Sequence, residues 1–378
     1  MGSTSHPTAR ADRIVSLDVI RGVAILGILP MNALTWAFDD LSAYSNLGAG
    51  GTSQPVDWVV GIGSKVFVEQ KMMALFSLLF GVGVVIFYER ARTKTTHPNW
   101  LSLWRFTLLL VIGIIHAAFW IGDVLVVYAL CAPVVLAVQR RSPRTLMSCG
   151  VALVLAGTLA AGVVQAVVNN GDGVLGEYWV AGGGTMGDEV GAWFIADGFL
   201  RALGMMLIGV SLYRREVVQG GLPRSVYQRM VRWGFGIGVP VSAIGVVVHI
   251  VDDWSSETAL VGHIPVGLGT IPMAFGYLGL IILWGHKHSR VSSRLQAAGR
   301  MAMTNYLSQT VLGLATLAVI ADNTAVSRTG VMAWVCGVWV VQLWWSTWWL
   351  QRYRFGPAEW LWRCGTYRQM HAFRRSDR

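Results

Sequence analysis

The stretch from Leu108 to Leu130, LLLVIGIIHAAFWIGDVLVVYAL, decides the fold. It contains two apolar runs separated only by WIGD, a segment long enough for the turn of a helical hairpin. Runs of this kind predict helices that cross a membrane. The stretch also holds His116 and Asp123, seven residues apart. Because ionisable groups are costly in a bilayer, these two residues are the first candidates for function.

The composition of the whole chain agrees with a membrane protein. Of its 378 residues, 54% are hydrophobic and 13% are charged, and the mean hydropathy is +0.52. Soluble globular domains contain about 25% charged residues. The four cysteines are scattered without a C-x-x-C pair, so the sequence indicates neither a metal site nor a disulfide framework.

Apolar segments recur along the chain at the length that a bilayer requires. They predict an all-α, polytopic integral membrane protein with about ten transmembrane helices. A glycine-rich segment, 169–192, divides an N-terminal half, 13–168, from a C-terminal half, 193–370, with five spans in each. The predicted spans are at about residues 17–38, 66–88, 104–121, 124–139, 148–168, 193–213, 231–251, 264–284, 302–321 and 331–350.

The net charge of +10 is explained by topology. Lysine and arginine are concentrated in alternate connecting segments and in the C-terminal tail, whereas the other segments hold only Arg328 and, at the border of the second predicted span, Lys65. This positive-inside pattern predicts a plasma-membrane protein with both termini in the cytoplasm. It favours membrane lipids as partners over nucleic acid. The sequence is also compatible with a homo-oligomer.

Several polar residues fall near or within the early spans. Asp18 and Arg21 lie three residues apart on one helix face, where they form either an interfacial anchor or part of a site. Asn32 follows the kink expected at Pro30, and it either binds substrate or joins two helices. Lys71 either contacts an anionic group or snorkels to the interface.

His116 and Asp123 each have a structural and a functional interpretation. Asp123 begins a predicted helix, where a carboxylate is a favoured cap. His116 can be a neutral imidazole bonded to a carbonyl between helices. Together they suggest a general base, because a carboxylate that orients one ring nitrogen leaves the other free to accept a proton.

The last two spans and the tail contribute further candidates. GRMAMTNYLSQTVL, residues 299–312, places Asn305 and Gln309 on one helix face. In the tail, RFGPAEWLWR, residues 354–363, the glycine and proline end the preceding helix. Glu359 is expected to pair with Arg363.

Five stretches of the sequence carry a resemblance to a known family. They are RIVSLDVIRGVAILGIL, LFSLLFGVG, GIIHAAFWIGDVLVVYAL, GRMAMTNYLSQT and RFGPAEWLWR. In order and spacing, from about residue 13 to residue 370, the chain resembles the YeiB family of bacterial membrane proteins, which have a domain of unknown function of type 418.

The first half is also similar to transmembrane acyltransferases typified by lysosomal heparan-α-glucosaminide N-acetyltransferase. The shared opening has the form R-x4-D-x2-R-G, here Arg13, Asp18, Arg21 and Gly22. The similarity implies transfer of an acetyl group from cytoplasmic acetyl-CoA to a sugar across the membrane, with a histidine on the far side. That histidine follows the first span in those enzymes, but the matching segment here, NALTWAFDDLSAYSNLGAG, contains none. His116 would have to replace it.

Three functions remain open. The first is transfer of an acyl group from acyl-CoA to a hydroxyl of a glycan, lipid or metabolite, with His116 and Asp123 as catalytic residues. Arg21, Arg300 and Arg363 would then bind the donor's phosphates, and Asp18, Asn32, Lys71, Asn305 and Gln309 would line the substrate path. The second is a proton-coupled transporter or lipid flippase. The third is a partner protein for another envelope enzyme.

Overall fold

The computed structural model describes residues 15–38, 41–285 and 289–375. Arg13, the first residue of the R-x4-D-x2-R-G opening, lies outside these ranges. The described chain is all-α. Its helices are α1 (Val15–Ala37), α2 (Ser42–Ser45), α3 (Pro55–Phe67), α4 (Lys71–Arg92), α5 (Pro98–Ala117), α6 (Leu125–Val138), α7 (Pro143–Asn169), α8 (Asp188–Arg214), α9 (Arg224–Val251), α10 (Ala259–Leu268), α11 (Thr270–Gly285), α12 (Arg290–Arg300), α13 (Ala302–Leu312), α14 (Val319–Asn323), α15 (Arg328–Arg352) and α16 (Pro357–Tyr367).

The prediction of an all-α polytopic membrane protein is confirmed. Within the described ranges, nine helical segments are long and apolar enough to cross a membrane. The shorter apolar helix α6 is the second arm of the hairpin in the opening stretch. Each of the ten predicted spans coincides with one of these segments.

The two ends of the helix bundle differ in the residues that join the helices. At one end, called here the basic end, Arg140 donates to the Tyr88 hydroxyl at 3.0 Å and Arg214 donates to the Arg141 carbonyl at 3.0 Å. The opposite end is closed by loops and is called here the acidic end, because these loops carry Asp172, Glu177, Asp252 and Asp253. There the Trp179 indole donates to the carbonyl of Trp254 at 2.9 Å.

Glycines let the central helices approach closely. Gly81 and Gly209 bring α4 against α8, because a Cβ on either would collide with the other helix's backbone. Gly22 and Gly299 do the same where α1 crosses α12. Small residues commonly allow close helix packing in membranes, where the hydrophobic effect contributes little to association between helices.

Two of the membrane-spanning segments are interrupted in the middle. The segment Pro55–Arg92 breaks between α3 and α4, where Gln70 has a left-handed backbone with φ of 62°. The segment Ala259–Gly285 is divided more mildly at Gly269, between α10 and α11, where the backbone keeps helical angles and the Gly269 N–H bonds to the Pro265 carbonyl at 3.0 Å. The sequence predicted spans at about 66–88 and 264–284 here, and the interruptions produce the buried polar cluster described below.

The C-terminal helix α16 packs against α5 at the basic end. The Trp362 indole donates to the Arg105 carbonyl at 3.0 Å, and the Arg105 guanidinium lies 3.5 Å from the Trp362 ring centroid. Glu359 does not pair with Arg363 as expected, because its carboxylate caps α13. It accepts from the backbone N–H groups of Met303 and Thr304 at 2.7 and 3.0 Å. Burial raises the pKa of the Glu359 carboxyl, and these donors oppose the rise.

Candidate active site

His116 and Asp123 are in direct contact across the hairpin turn. The His116 Nδ1 atom lies 2.6 Å from Asp123 Oδ1. The His116 side chain is 7% exposed and the Asp123 side chain 1%. The carboxylate therefore orients the imidazole in a site largely shielded from the surroundings.

Asp123 serves the helix and the histidine at once. Its second oxygen, Oδ2, accepts from the backbone N–H of Val126 in the first turn of α6 at 2.8 Å. This bond is the capping interaction that the sequence suggested. Because the cap fixes the carboxylate, the other oxygen is held against the imidazole. The capping and orienting interpretations of Asp123 are both realised in the geometry.

The other ring nitrogen of His116 meets Thr310, a residue that sequence analysis did not identify. His116 Nε2 lies 2.9 Å from Thr310 Oγ1, and Thr310 is 2% exposed. An ionised Asp123 can only accept, so in neutral His116 the proton lies on Nδ1 and Nε2 accepts from the threonine hydroxyl. The three side chains therefore align a carboxylate (Asp123), a base (His116) and a hydroxyl group (Thr310) for proton transfer.

Aromatic side chains enclose the histidine. The ring centroids of Tyr306 and Trp120 lie 5.1 and 5.9 Å from that of His116. The Tyr306 hydroxyl accepts from the backbone N–H of Val124 at 3.2 Å, which joins α13 to the start of α6. These contacts limit solvent access to the imidazole and strengthen electrostatic interactions within the site.

Asn32 is linked to this site only through other residues. The Trp120 indole donates to the Thr35 hydroxyl at 2.9 Å, and the Thr35 hydroxyl donates to the Asn32 carbonyl at 2.8 Å. The part of α1 toward the acidic end therefore forms one wall of the histidine site. Pro30, where the sequence predicts a kink, lies just before this wall, inside α1.

Asn305 and Gln309 are fully buried and bond to neighbouring helices. The Asn305 amide nitrogen donates to the Ser346 hydroxyl at 3.1 Å, and its oxygen accepts from the Trp345 indole at 2.7 Å. The Gln309 amide nitrogen donates to the Gln342 side-chain oxygen at 2.9 Å. This network fixes α13 against α15, and thereby fixes Thr310, the next residue after Gln309.

The three arginines expected to bind phosphates lie at the basic end but are not in one cluster. Arg21 pairs with Asp18 at 3.0 Å, where α1 crosses α12. Arg300 ends α12, and one guanidinium nitrogen lies 3.5 Å from the carbonyl of Arg354. Arg363 lies on α16 with its guanidinium 4.9 Å from the ring centroid of Phe355. The last two flank the same short segment between α15 and α16.

Arg105 is a basic residue of this end that sequence analysis did not single out. Besides stacking on Trp362, it donates to the Thr366 hydroxyl at 3.3 Å. It lies on α5, eleven residues before His116. With a rise of about 1.5 Å per residue, the two residues are separated by about 17 Å along the helix.

Lys71, the remaining predicted substrate residue, belongs to a different part of the bundle. It is fully buried at the start of α4 and donates to the carbonyl of Lys65 at 3.0 Å. It therefore does not snorkel to an interface. Among the described residues, its interactions are with the break between α3 and α4 and with α8, not with the His116 site.

Comparison with known proteins reveals relatives over nearly the whole chain. The chain is 32% identical to the uncharacterized protein YeiB of Escherichia coli, with 94% of this chain and 97% of that protein covered. It is 30% identical to the uncharacterized protein YxaH of Bacillus subtilis, with 97% of each chain covered. No solved structure shows a significant match.

The family model described as a protein of unknown function (DUF418) matches residues 212–369. This region includes α9 to α16 and therefore contains Thr310, Asn305 and the C-terminal helix. The match and the two relatives agree with the five stretches that carried the resemblance. The chain belongs to the YeiB family of DUF418 membrane proteins.

Proposed function

We propose that this protein is a transmembrane acyltransferase. It transfers an acyl group from acyl-CoA, bound at the basic end, to a hydroxyl group of an extracytoplasmic glycan, lipid or metabolite. The observation that carries the proposal is the chain of contacts from Asp123 through His116 to Thr310, at 2.6 and 2.9 Å. This arrangement directs the Nε2 atom of the imidazole at a hydroxyl group.

The proposed step is a direct transfer. The acceptor hydroxyl takes the position of the Thr310 hydroxyl at His116 Nε2 and gives up its proton to that nitrogen. The acceptor oxygen then bonds to the thioester carbonyl carbon, and the carbon–sulfur bond breaks. The imidazolium, stabilised by Asp123, returns the proton to the departing CoA thiolate. General-base assistance of this kind contributes about 10²–10⁴-fold to a rate.

The donor's phosphates are assigned to the basic end. Guanidinium groups bind phosphate in a bidentate manner, and Arg21, Arg300 and Arg363 all lie there. Arg105 is a further basic residue nearby. His116 lies about 17 Å along α5 from Arg105, so the thioester would have to reach that far from the bound phosphates. This distance suits a donor whose acyl group is carried on a long flexible arm.

The proposed orientation puts the basic end in the cytoplasm of the cell, with both termini there. The excess of lysine and arginine in the segments at this end supports that assignment. Acyl-CoA then enters from the compartment that contains it. The acceptor approaches from the acidic end, nearer to which His116 lies on α5.

A proton-coupled transporter or lipid flippase is the second candidate, and one specific observation favours it. One spanning segment breaks at Gln70, near the middle of the bundle and beside buried charged residues, and a second is divided at Gly269. Discontinuous helices of this kind form substrate and ion sites in many transporters. Proton-dependent solute uptake or lipid scrambling in liposomes, in the absence of thioester consumption, would support this function instead.

The binding of acetyl-CoA and of a longer acyl-CoA to the purified protein tests the donor half of the proposal. We expect micromolar binding by the wild type and by His116→Ala. The double variant Asp18→Asn with Arg21→Ala should bind at least tenfold more weakly, because it removes the cation without leaving a buried carboxylate unpaired. Folded wild-type protein that binds no acyl-CoA would contradict the proposal.

A further inference from the structure

A second buried polar site surrounds the two helix interruptions. The Gln70 side chain bonds to the His263 ring and accepts from the Thr270 hydroxyl, so it joins α4 to both α10 and α11. The Tyr277 hydroxyl donates at 2.8 Å to the carbonyl of Phe67, which ends α3. The helix-break cluster is defined here as Lys65, Glu69, Gln70, Lys71, Asp197, Arg201 and His263.

The cluster lies deep in the bundle. Met72, next to Lys71, packs against Gly27, which is near the middle of α1. Lys71 and Glu69 are 0% exposed, and Arg201 is 3% exposed. Charged groups at such depth are costly and in membrane proteins mark sites for substrates or ions.

The charges in the cluster do not balance. Lys65 pairs with Glu69 at 3.1 Å. The Arg201 Nη2 atom donates to both carboxylate oxygens of Asp197, each at 2.6 Å. Lys71 is a fifth charge, and its Nζ atom donates to a neutral group, the carbonyl of Lys65. The negative charge of Glu69 attracts the Lys71 ammonium, and the positive charges of Lys65 and Arg201 repel it. When all five groups are ionised, three cations face two carboxylates and one positive charge is in surplus.

Two buried polar atoms of the cluster have no partner among the described residues, the Arg201 Nη1 donor and the Glu69 Oε1 acceptor. Arg201 binds Asp197 through Nε and Nη2, so only its Nη1 is left to bind a ligand oxygen. This nitrogen carries two N–H groups. Lys71 is the first residue of α4, a helix of 22 residues without a side-chain cap, and the partial positive charge of a helix N-terminus favours an anion.

We propose that the helix-break cluster binds one anionic group, a carboxylate or a phosphate, inside the membrane, through the Lys71 ammonium and the Arg201 Nη1 atom at the N-terminus of α4. The ligand's negative charge neutralises the surplus cation, and its oxygens accept the unused N–H groups. This site is separate from that of His116 and does not depend on the proposed acyl transfer.

The strained backbone of Gln70 supports this assignment. A non-glycine residue with φ of 62° costs free energy, and such residues persist where the surroundings fix them, often at ligand sites. Here the left-handed backbone of Gln70 turns its side chain toward α10 and α11, and α4 starts beside the charged residues.

Two sources share this chemistry, a free organic or phosphate anion and an anionic lipid headgroup. The test therefore has two arms, each read by thermal unfolding of the full-length protein. In the first arm, the protein in a neutral detergent is titrated with benzoate and with inorganic phosphate at constant ionic strength. In the second, nanodiscs of phosphatidylcholine are compared with nanodiscs containing phosphatidylglycerol.

We expect at least one of these anions to raise the unfolding temperature of the wild type by about 3 °C or more at saturation. Lys71→Met should lose that rise, and its own unfolding temperature without anion should equal or exceed that of the wild type, because a surplus buried charge is removed. Lys94→Met, at an exposed lysine of the basic end, is the matched control and should respond as the wild type does.

Arg201→Lys provides a second variant, since it keeps a cation beside Asp197 and lacks Nη1. The apparent affinity of this variant for the anion, taken from the same titration, should be at least tenfold lower than that of the wild type. The proposal is overturned if the wild type shows no anion-dependent rise in either arm, or if Lys71→Met and Arg201→Lys both keep the wild-type response. His116→Ala should retain the response, which separates failure of this site from failure of acyl transfer.

Discussion

His116 Nδ1 and Asp123 Oδ1 are 2.6 Å apart, with His116 on α5 and Asp123 in the turn that precedes α6. The turn places the carboxylate beside the imidazole, and the cap on Val126 holds it there. An imidazole held in one tautomer is ready to accept a proton at Nε2. The structural role of Asp123 and its proposed catalytic role can be separated by substitution.

Asp123→Asn should lower the acyl-transfer rate by about 10²–10⁴-fold while leaving donor affinity unchanged. The asparagine oxygen can still cap Val126, so the fold is preserved, but the amide no longer stabilises the imidazolium. Asp123→Ala should lose the rate and also about 1 kcal/mol of stability, because the cap is removed. Turnover and thermal unfolding of both variants give the comparison. Equal rates for Asp123→Asn and the wild type would contradict the orienting role.

Thr310→Ala should retain measurable acyl transfer, because in the direct mechanism the threonine hydroxyl only holds the position that the acceptor takes. Thr310→Ser keeps the hydrogen bond to Nε2 and should act as the wild type does. Intact-protein mass spectrometry after incubation with acyl-CoA should show no covalent acyl adduct. An adduct lost in Thr310→Ala, together with complete loss of turnover, would instead make Thr310 a covalent nucleophile.

Gly299→Ala should destabilise the protein by about 1–3 kcal/mol, because the new Cβ would collide with the carbonyl oxygen of Asp18 where α12 crosses α1. Gly236→Ala is the matched control, since a Cβ there meets nothing within 4 Å. It should leave stability unchanged or raise it slightly, as alanine favours a helix over glycine. Thermal unfolding in detergent measures both. Equal destabilisation would contradict the close helix crossing.

A labelling experiment tests the proposed orientation. In a background without the native cysteines, Thr93→Cys at the basic end and Ser256→Cys at the acidic end are both accessible positions. In intact cells, a membrane-impermeant maleimide should label Ser256→Cys and should label Thr93→Cys only after lysis. The reverse labelling would place the basic end outside and would remove the proposed entry of acyl-CoA.

The spans and the histidine hairpin were predictable because their signals are local. A run of about twenty apolar residues predicts a helix without knowledge of its neighbours. The seven-residue spacing of His116 and Asp123 across a four-residue turn restricts how far apart they can be. Thr310 was not predictable in this way, because it lies 194 residues from His116 and the contact depends on how α13 packs against α5.

The helix-break cluster shows a second limit. Neither glycine nor proline marks the break at Gln70, so local sequence gives no reason to interrupt the span. The sequence left Lys71 either in contact with an anionic group or snorkelling to the interface. The break instead buries it together with Lys65 and Glu69, and their partners are set by tertiary packing that spacing along one helix does not specify.

The release of CoA thiol by the protein in proteoliposomes tests the central claim most directly. The assay supplies acetyl-CoA or a longer acyl-CoA and an extract of envelope lipids and glycans as acceptors. Wild type is compared with His116→Ala and with His97→Ala, a control at an exposed histidine at the basic end of the bundle. Acceptor-dependent release by wild type and by His97→Ala, with a loss of at least about a hundredfold in His116→Ala, is the predicted result. Release that is absent from wild type, or unchanged in His116→Ala, would contradict acyl transfer by this histidine.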